Sequence, residues 1–145
     1  MYSRKQSILL ACAENTQYDL IIWCRFDMEL RLINEPKYNP TKVIIPDVQT
    51  INTENIHLSM WHHMHSGYSD HWFFSNSENM RILAHMYDEL YSYFVKNSTF
   101  DKYATELNLK NKTDGFGANS HTIHKHYFNT HFTNDTLCFL QFYND

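Results

Sequence analysis

Long apolar runs are missing from this sequence, and none approaches the roughly 18 consecutive apolar residues of a membrane-spanning helix. The apolar stretch behind the basic N-terminus, Ile8 to Ala13, is closed by Glu14 and is too short for a secretory signal. Positive charge is scarce as well. Twelve Lys and Arg against 16 Asp and Glu leave a net charge of −4 and a pI near 6.2. That balance argues against a protein that binds nucleic acid by neutralising phosphates. Three cysteines, Cys12, Cys24 and Cys138, are odd in number and widely spaced, so they suggest no disulfide framework. Cys24 and Cys138 lie in apolar, strand-like runs and read as reduced thiols packed as small hydrophobes. Together these absences lead us to expect a soluble, cytoplasmic protein. G-x-G-x-x-G, P-loop, G-x-S-x-G and C-x-x-C patterns are all absent.

Aromatic residues, by contrast, are abundant. They make up 16% of the chain, with ten Tyr and ten Phe, enough apolar surface to rule out general disorder. A length of 145 residues suits one domain with a real core, and no repeat or linker divides it. We therefore expect a single α/β domain over residues 1–145.

The chain is organised around residues 18–27, Tyr-Asp-Leu-Ile-Ile-Trp-Cys-Arg-Phe-Asp. Leu20 to Trp23 is a continuous apolar run rich in β-branched and aromatic side chains, the pattern of a strand buried on both faces in a parallel or mixed sheet. Arg25 and Asp27 follow at i, i+2 spacing and would share a face if the strand continued. Ligands in open α/β sheets sit outside the carboxyl ends of the strands. A carboxylate there suits a divalent cation and an arginine suits phosphate, although a surface ion pair would show the same spacing.

Elsewhere the periodicity predicts a helix over residues 3–14, weak alternation over 28–33 and a short strand over 42–45. Residues 47–54 look like a loop, and 55–69 carry histidines and aromatics without a convincing period. A strand over 70–74 leads into the strongest helix, opened by a Ser75/Glu78 capping box and running to about Val95 on the stripe Met80, Leu83, Ala84, Tyr87, Leu90, Tyr91 and Phe94. A short helix within 97–112, a helix capped by Ser120 and reaching about His131, and a strand over 136–143 complete the pattern. Alternating helices and strands imply one α/β layer structure.

A second group of candidate residues surrounds Gly67. His62, His63, His65 and His71 are closely spaced, but a regular helical H-x-x-x-H and a nearby cysteine are both missing, so zinc is a minor expectation. Trp61, Tyr68, Asp70, His71 and Trp72 offer the aromatic platforms and the carboxylate that a sugar site needs, while either Trp would serve equally in a core. Asp70 stands at an element boundary, where it could act as a base, hold sugar hydroxyls or simply make a turn. His121 and His124, at i, i+3, would share a helix face and could supply a late metal or phosphate ligand.

Two blocks carry a family resemblance. Tyr18–Asp27 resembles the "YD-apolar-R-x-D" strand of a group of glycosyltransferases found in large DNA viruses and bacterial polysaccharide clusters. Asp70–Met80, Asp-His-Trp-Phe-Phe-Ser-Asn-Ser-Glu-Asn-Met, resembles their "D-[QH]-aromatic-x-[GS]-x-S-x-x-M" block. The resemblance covers about residues 1–95, and more loosely the last helix and strand. It implies a partial Rossmann-like, GT-A-type mixed sheet flanked by helices. The R-x-D triplet stands where such enzymes carry their metal-binding D-x-D. Asp27 is thereby implied as the ligand of Mn²⁺ or Mg²⁺ on a nucleotide-diphosphate sugar, Arg25 as a nucleotide contact, and Asp70 as the catalytic, base-like carboxylate near the acceptor or donor sugar. His121 replaces a position often acidic in the family and is carried over as a second metal ligand; Trp61, His71 and Trp72 would line the sugar site. A viral enzyme of this kind would work in the host cytoplasm.

The family's nucleotide-binding N-terminal part has no counterpart here. We therefore expect a homodimer, or a partner chain supplying that half, unless residues 136–143 cover the edge of the first strand. The alternatives are a non-catalytic carbohydrate- or protein-binding module of the same ancestry and, less favoured, a histidine-rich metal hydrolase.

Overall fold

A computed structural model describes residues 2–13, 17–25, 29–32, 42–45, 48–59, 67–106 and 119–140. In chain order its elements are α1 (Tyr2–Ala11), β1 (Ile21–Cys24), β2 (Glu29–Leu32), β3 (Lys42–Ile45), β4 (Ile56–Ser59), β5 (Trp72–Ser75), α2 (Ser77–Ala84), α3 (Met86–Tyr93), α4 (Thr99–Glu106), α5 (Ser120–His131) and β6 (Leu137–Leu140). Short 3₁₀ turns cover Val48–Thr50 and Asn134–Thr136. Four strands form a mixed sheet in the order β1-β5-β4-β6, in which β5 runs antiparallel to β1 and β4 while β6 is parallel to β4. β2 and β3 make a separate parallel pair, Leu30 opposite Val43. The expected mixed α/β sheet flanked by helices is thus what the chain forms, and among the described residues no helix is long and apolar enough to cross a membrane.

Strand alternation sorts the sheet into two apolar faces. Ile21, Trp23, Ile56, Leu58, Phe73, Leu137 and Phe139 point to one side, where they meet Ile8 of α1, Met80 and Leu83 of α2 and Ile123, Tyr127 and Phe128 of α5. Ile22, Cys24, Trp72, Phe74 and Leu140 point to the other, together with Leu20 and Ile51. His57 joins that second face, stacked on Phe74 at 4.7 Å, and its Nε2–H donates to the Asn52 carbonyl at 2.9 Å. All four residues of β5 are buried, as an interior strand requires.

Two expectations need correction. β4 lies in a stretch without a convincing period, yet it is an interior strand buried at every position. Four residues, two of them the polar His57 and Ser59, carry too little apolar signal to announce a strand. The long helix opened at Ser75 is two helices, and its cap is Asn76, whose side chain accepts from Asn79 N–H at 2.9 Å. Ser75 ends β5 instead, its hydroxyl donating to the Asn55 carbonyl at 2.8 Å. At His85 the chain leaves the α-helical ladder, its N–H bonding the Ile82 carbonyl at 3.0 Å, and α3 starts on a new face. Met86 and Tyr93 are buried, whereas Tyr87, Tyr91 and Phe94 of the predicted stripe are exposed. Of the last predicted strand, β6 (Leu137–Leu140) pairs with β4 at the opposite side of the sheet from β1, and among the described residues β5 is the one strand beside β1.

The cysteines behave as expected of packed thiols. All three are free, and burial raises each thiol's pKa, so they are protonated at neutral pH.

Candidate functional site

β1, β4 and β6 point the same way, so their carboxyl ends lie together beside the start of β5. The β1–β5 ladder runs one bond beyond the strands, with Arg25 N–H donating to the His71 carbonyl at 2.9 Å. Arg25 and Asp70 are therefore brought to the same end of adjacent strands, with Arg25 Nη1 4.0 Å from Asp70 Oδ1. The first turn of α5 arrives at the same place. Asn119 caps it through a reciprocal box, accepting from Thr122 N–H at 3.0 Å while the Thr122 hydroxyl accepts from Asn119 N–H at 3.1 Å. The predicted cap, Ser120, is one residue further on and opens the helix proper.

His121 Nε2 sits 3.4 Å from Asp70 Oδ1. The His121 ring, with Ser120 and the neighbouring imidazole of His124, holds the Asp70 carboxyl well below the usual carboxylate range, against the opposing effect of burial. Asp70 is thus ionised under all ordinary conditions. Its Oδ1 is buried, and no donor among the described residues completes a hydrogen bond of ordinary geometry with it. The side chain as a whole keeps 15% of its surface, and that of His121 keeps 29%. The site is recessed but open.

Gly67 and Tyr68 seat this turn of α5. Tyr68 N–H donates to the His121 carbonyl at 3.0 Å. A Cβ on residue 67 would stand 2.4 Å from the His121 carbonyl carbon and 2.6 Å from its oxygen, so only glycine leaves room for the backbone contact. Gly67→Ala must push α5 away, at an expected cost of about 1–3 kcal/mol. Urea titration measures the loss, and displaced amide resonances of Tyr68 and His121 would locate it; unchanged stability and resonances would refute the contact.

Behind Asp70 lies a layer that the sequence did not reveal. Arg4 of α1 extends over the Trp23 ring, 3.9 Å from its centroid, and lies 5.4 Å from that of Phe73. Its Nη1 donates to His124 Nε2, and His124 Nδ1 donates to the Ser120 carbonyl. His124, expected on a helix face as a late ligand, is fully buried, and burial together with the Arg4 charge lowers its pKa to about 3. Arg4 carries no motif and sits in a helix of weak apolar pattern, so nothing in the sequence distinguished it from a surface arginine.

Not every predicted residue joins the cluster. Trp72, expected as a sugar platform, is 2% exposed and stacks on Phe74 at 5.5 Å in the second apolar cluster, which leaves its ring no face for a ligand. His71 takes part through its carbonyl, and its N–H lies 3.3 Å from the Ser69 hydroxyl. Asp27, Trp61 and the histidines at 62, 63 and 65 lie outside the described residues. Among the described residues no three His, Cys, Asp or Glu side chains gather as a metal site. His121 faces Asp70, and the nearby positive charge of Arg4 and Arg25 would oppose a cation between them. As assembled, the cluster can hold polar hydroxyls through a permanent carboxylate and anionic groups through arginine. No family, curated protein or solved structure matches this chain.

Proposed function

We propose that this chain belongs to a glycosyltransferase that moves a sugar from a nucleotide-diphosphate sugar to an acceptor hydroxyl, with the Asp70 cluster as its sugar-facing site. One observation supports this above the others: the two blocks that resemble such enzymes form neighbouring strands, and their polar ends, Arg25 and Asp70, meet within 4.0 Å. On this reading Arg25 faces the diphosphate, a role its donor fork suits. Asp70 accepts hydrogen bonds from sugar hydroxyls. A carboxylate held so far below its usual range is a weak proton acceptor, so orienting a hydroxyl suits it better than deprotonating one. The resemblance assigns Mn²⁺ or Mg²⁺ to Asp27, and such an ion would neutralise charge on the departing diphosphate.

The low proton affinity of Asp70 also favours a second reading, a carbohydrate-binding module of the same ancestry that holds a glycan without transferring it.

Calorimetric titration with UDP and GDP, each with and without MnCl₂, tests the proposal. Metal-dependent nucleotide binding that is lost in Asp27→Ala is the expected result. Asp70→Asn should reduce turnover about 10²-fold or more in a chain that still folds, with a lowered melting temperature because the favourable pairing of the charged carboxylate with His121 is lost. Glycan binding without nucleotide binding would favour the module. Binding of neither would reject both readings.

A further inference from the structure

We propose that Arg4 is a positioning residue of the Asp70 site, reaching it from α1: its guanidinium bonds His124 Nε2 and so holds the first turn of α5, with Ser120 and His121, against Asp70. The inference rests on the reading of that cluster as a ligand site. Its geometry runs in one direction. A carbonyl oxygen only accepts, so the contact between His124 Nδ1 and the Ser120 carbonyl places the proton on Nδ1. The imidazole is buried and neutral, which leaves Nε2 with a lone pair that only a donor can satisfy. Arg4 supplies that donor. The tautomer of His124 is thus set by a backbone carbonyl on one side and by α1 on the other.

Packing alone does not account for an arginine here. A methionine or leucine would cover Trp23 and Phe73 without the desolvation cost of holding a guanidinium half-buried there. Arg4 also leaves its Nε buried without a hydrogen bond among the described residues, so it is a poor stabiliser as a bonded group. Burial lowers its pKa only to about 10, so it remains charged at neutral pH, aided by Asp70 and opposed by Arg25. With His124 neutral, Arg4 and Arg25 outweigh the single charge of Asp70. The groups facing His124 are therefore Arg4 from α1, Asp70 from the segment before β5 and His121 from its own helix. Their sum favours an anionic ligand group beside Asp70. Arg4 does two things from behind the site: it fixes the head of α5 and biases the field toward anions.

Arg4→Met and Arg4→Lys separate positioning from packing. Methionine keeps an apolar stem over Trp23 without donor or charge; lysine keeps both but loses the planar stack. Melting temperature, affinity for UDP with MnCl₂ and the amide resonances of Ser120 and His121 are measured for each. The expected result is Arg4→Met with a melting temperature near the parent's, the orphaned His124 Nε2 offsetting the relieved desolvation of the guanidinium, affinity reduced about tenfold and displaced Ser120 and His121 resonances, with Arg4→Lys recovering part of both. Arg4→Met with parental affinity and resonances would overturn the proposal. So would Arg4→Lys behaving no better than Arg4→Met, because shape and not donation would then decide. If Arg4→Met fails to fold, retention of parental Ser120 and His121 resonances in Arg4→Lys supports positioning and their displacement opposes it. If the parent binds no UDP, the glycosyltransferase reading fails by itself, and the resonances still decide the role of Arg4.

Discussion

Phe73→Ala is expected to destabilise the fold by about 3–5 kcal/mol, the usual range for removing a fully buried phenylalanine. Phe73 is 0% exposed at the middle of an interior strand, stacked on Trp23 at 4.9 Å and edge-on to Phe128 at 6.1 Å. It also lies beneath the guanidinium of Arg4. The ring thus joins β1, β5, α1 and α5, and the neighbours that would have to close its cavity are themselves held in the sheet or in helices packed on it. Domains of this size are commonly stable by only about 5–15 kcal/mol, so the variant would be partly unfolded well below the parent's transition. Denaturant titration of Phe73→Ala beside Phe94→Ala checks this. Phe94 is 61% exposed, and its truncation should change stability by no more than about 0.5 kcal/mol. Equal losses in the two variants would show that Phe73 is not the keystone of the helix-covered face.

A second large effect is expected in acid. His124 is fully buried and neutral, with its pKa lowered to about 3 by burial first and by Arg4 second. An unfolded histidine titrates near about 6.5. The folded value lies below the unfolded one, so as pH falls the unfolded chain takes up a proton that the folded chain refuses. Stability is complete above about pH 6.5 and is lost progressively as pH drops toward the folded value. Between pH 7 and pH 4 His124 should remove about 3 kcal/mol. His126 is also lowered by burial and acts with the same sign. Asp70, held low by His121, adds a loss only further down, below the ordinary carboxylate range. His124→Gln isolates the first contribution, because an amide can accept from Arg4 and donate to the Ser120 carbonyl without titrating. Urea titrations at intervals from pH 7 to pH 4 should show a distinctly flatter profile for His124→Gln. Identical slopes would mean that His124 takes up its proton as readily in the fold as in the unfolded chain, which would refute its burial as a neutral ring.

What the sequence determined by itself was local. The apolar run at residues 20–23, the weaker alternation at 28–33 and the β-branched stretch at 42–45 each became a strand, because side-chain period and backbone preference act over a few neighbours. Helices appeared near residues 3–14, 97–112 and 120–131 for the same reason, with ends shifted by the side chain that actually reached a free N–H, Asn76 over Ser75 and Asn119 over Ser120. Arg25 and Asp70 could be singled out because charged residues at the ends of apolar elements stand out in a sequence, and His121 through its i, i+3 spacing to His124 and the family resemblance. Only the tertiary structure decided the rest. β4 is an interior strand because neighbours on both sides satisfy its backbone, which four residues of mixed polarity cannot announce. The stripe from Met80 to Phe94 divides at His85 because α3 buries Met86 and Tyr93 in preference to Tyr87 and Tyr91. Trp72 is a core ring because its register opposite Cys24 turns it to the second apolar face. Arg4 and His124 meet from opposite ends of the chain, and no pattern in either neighbourhood encodes the other, because that contact exists only once α1 and α5 share one face of the sheet.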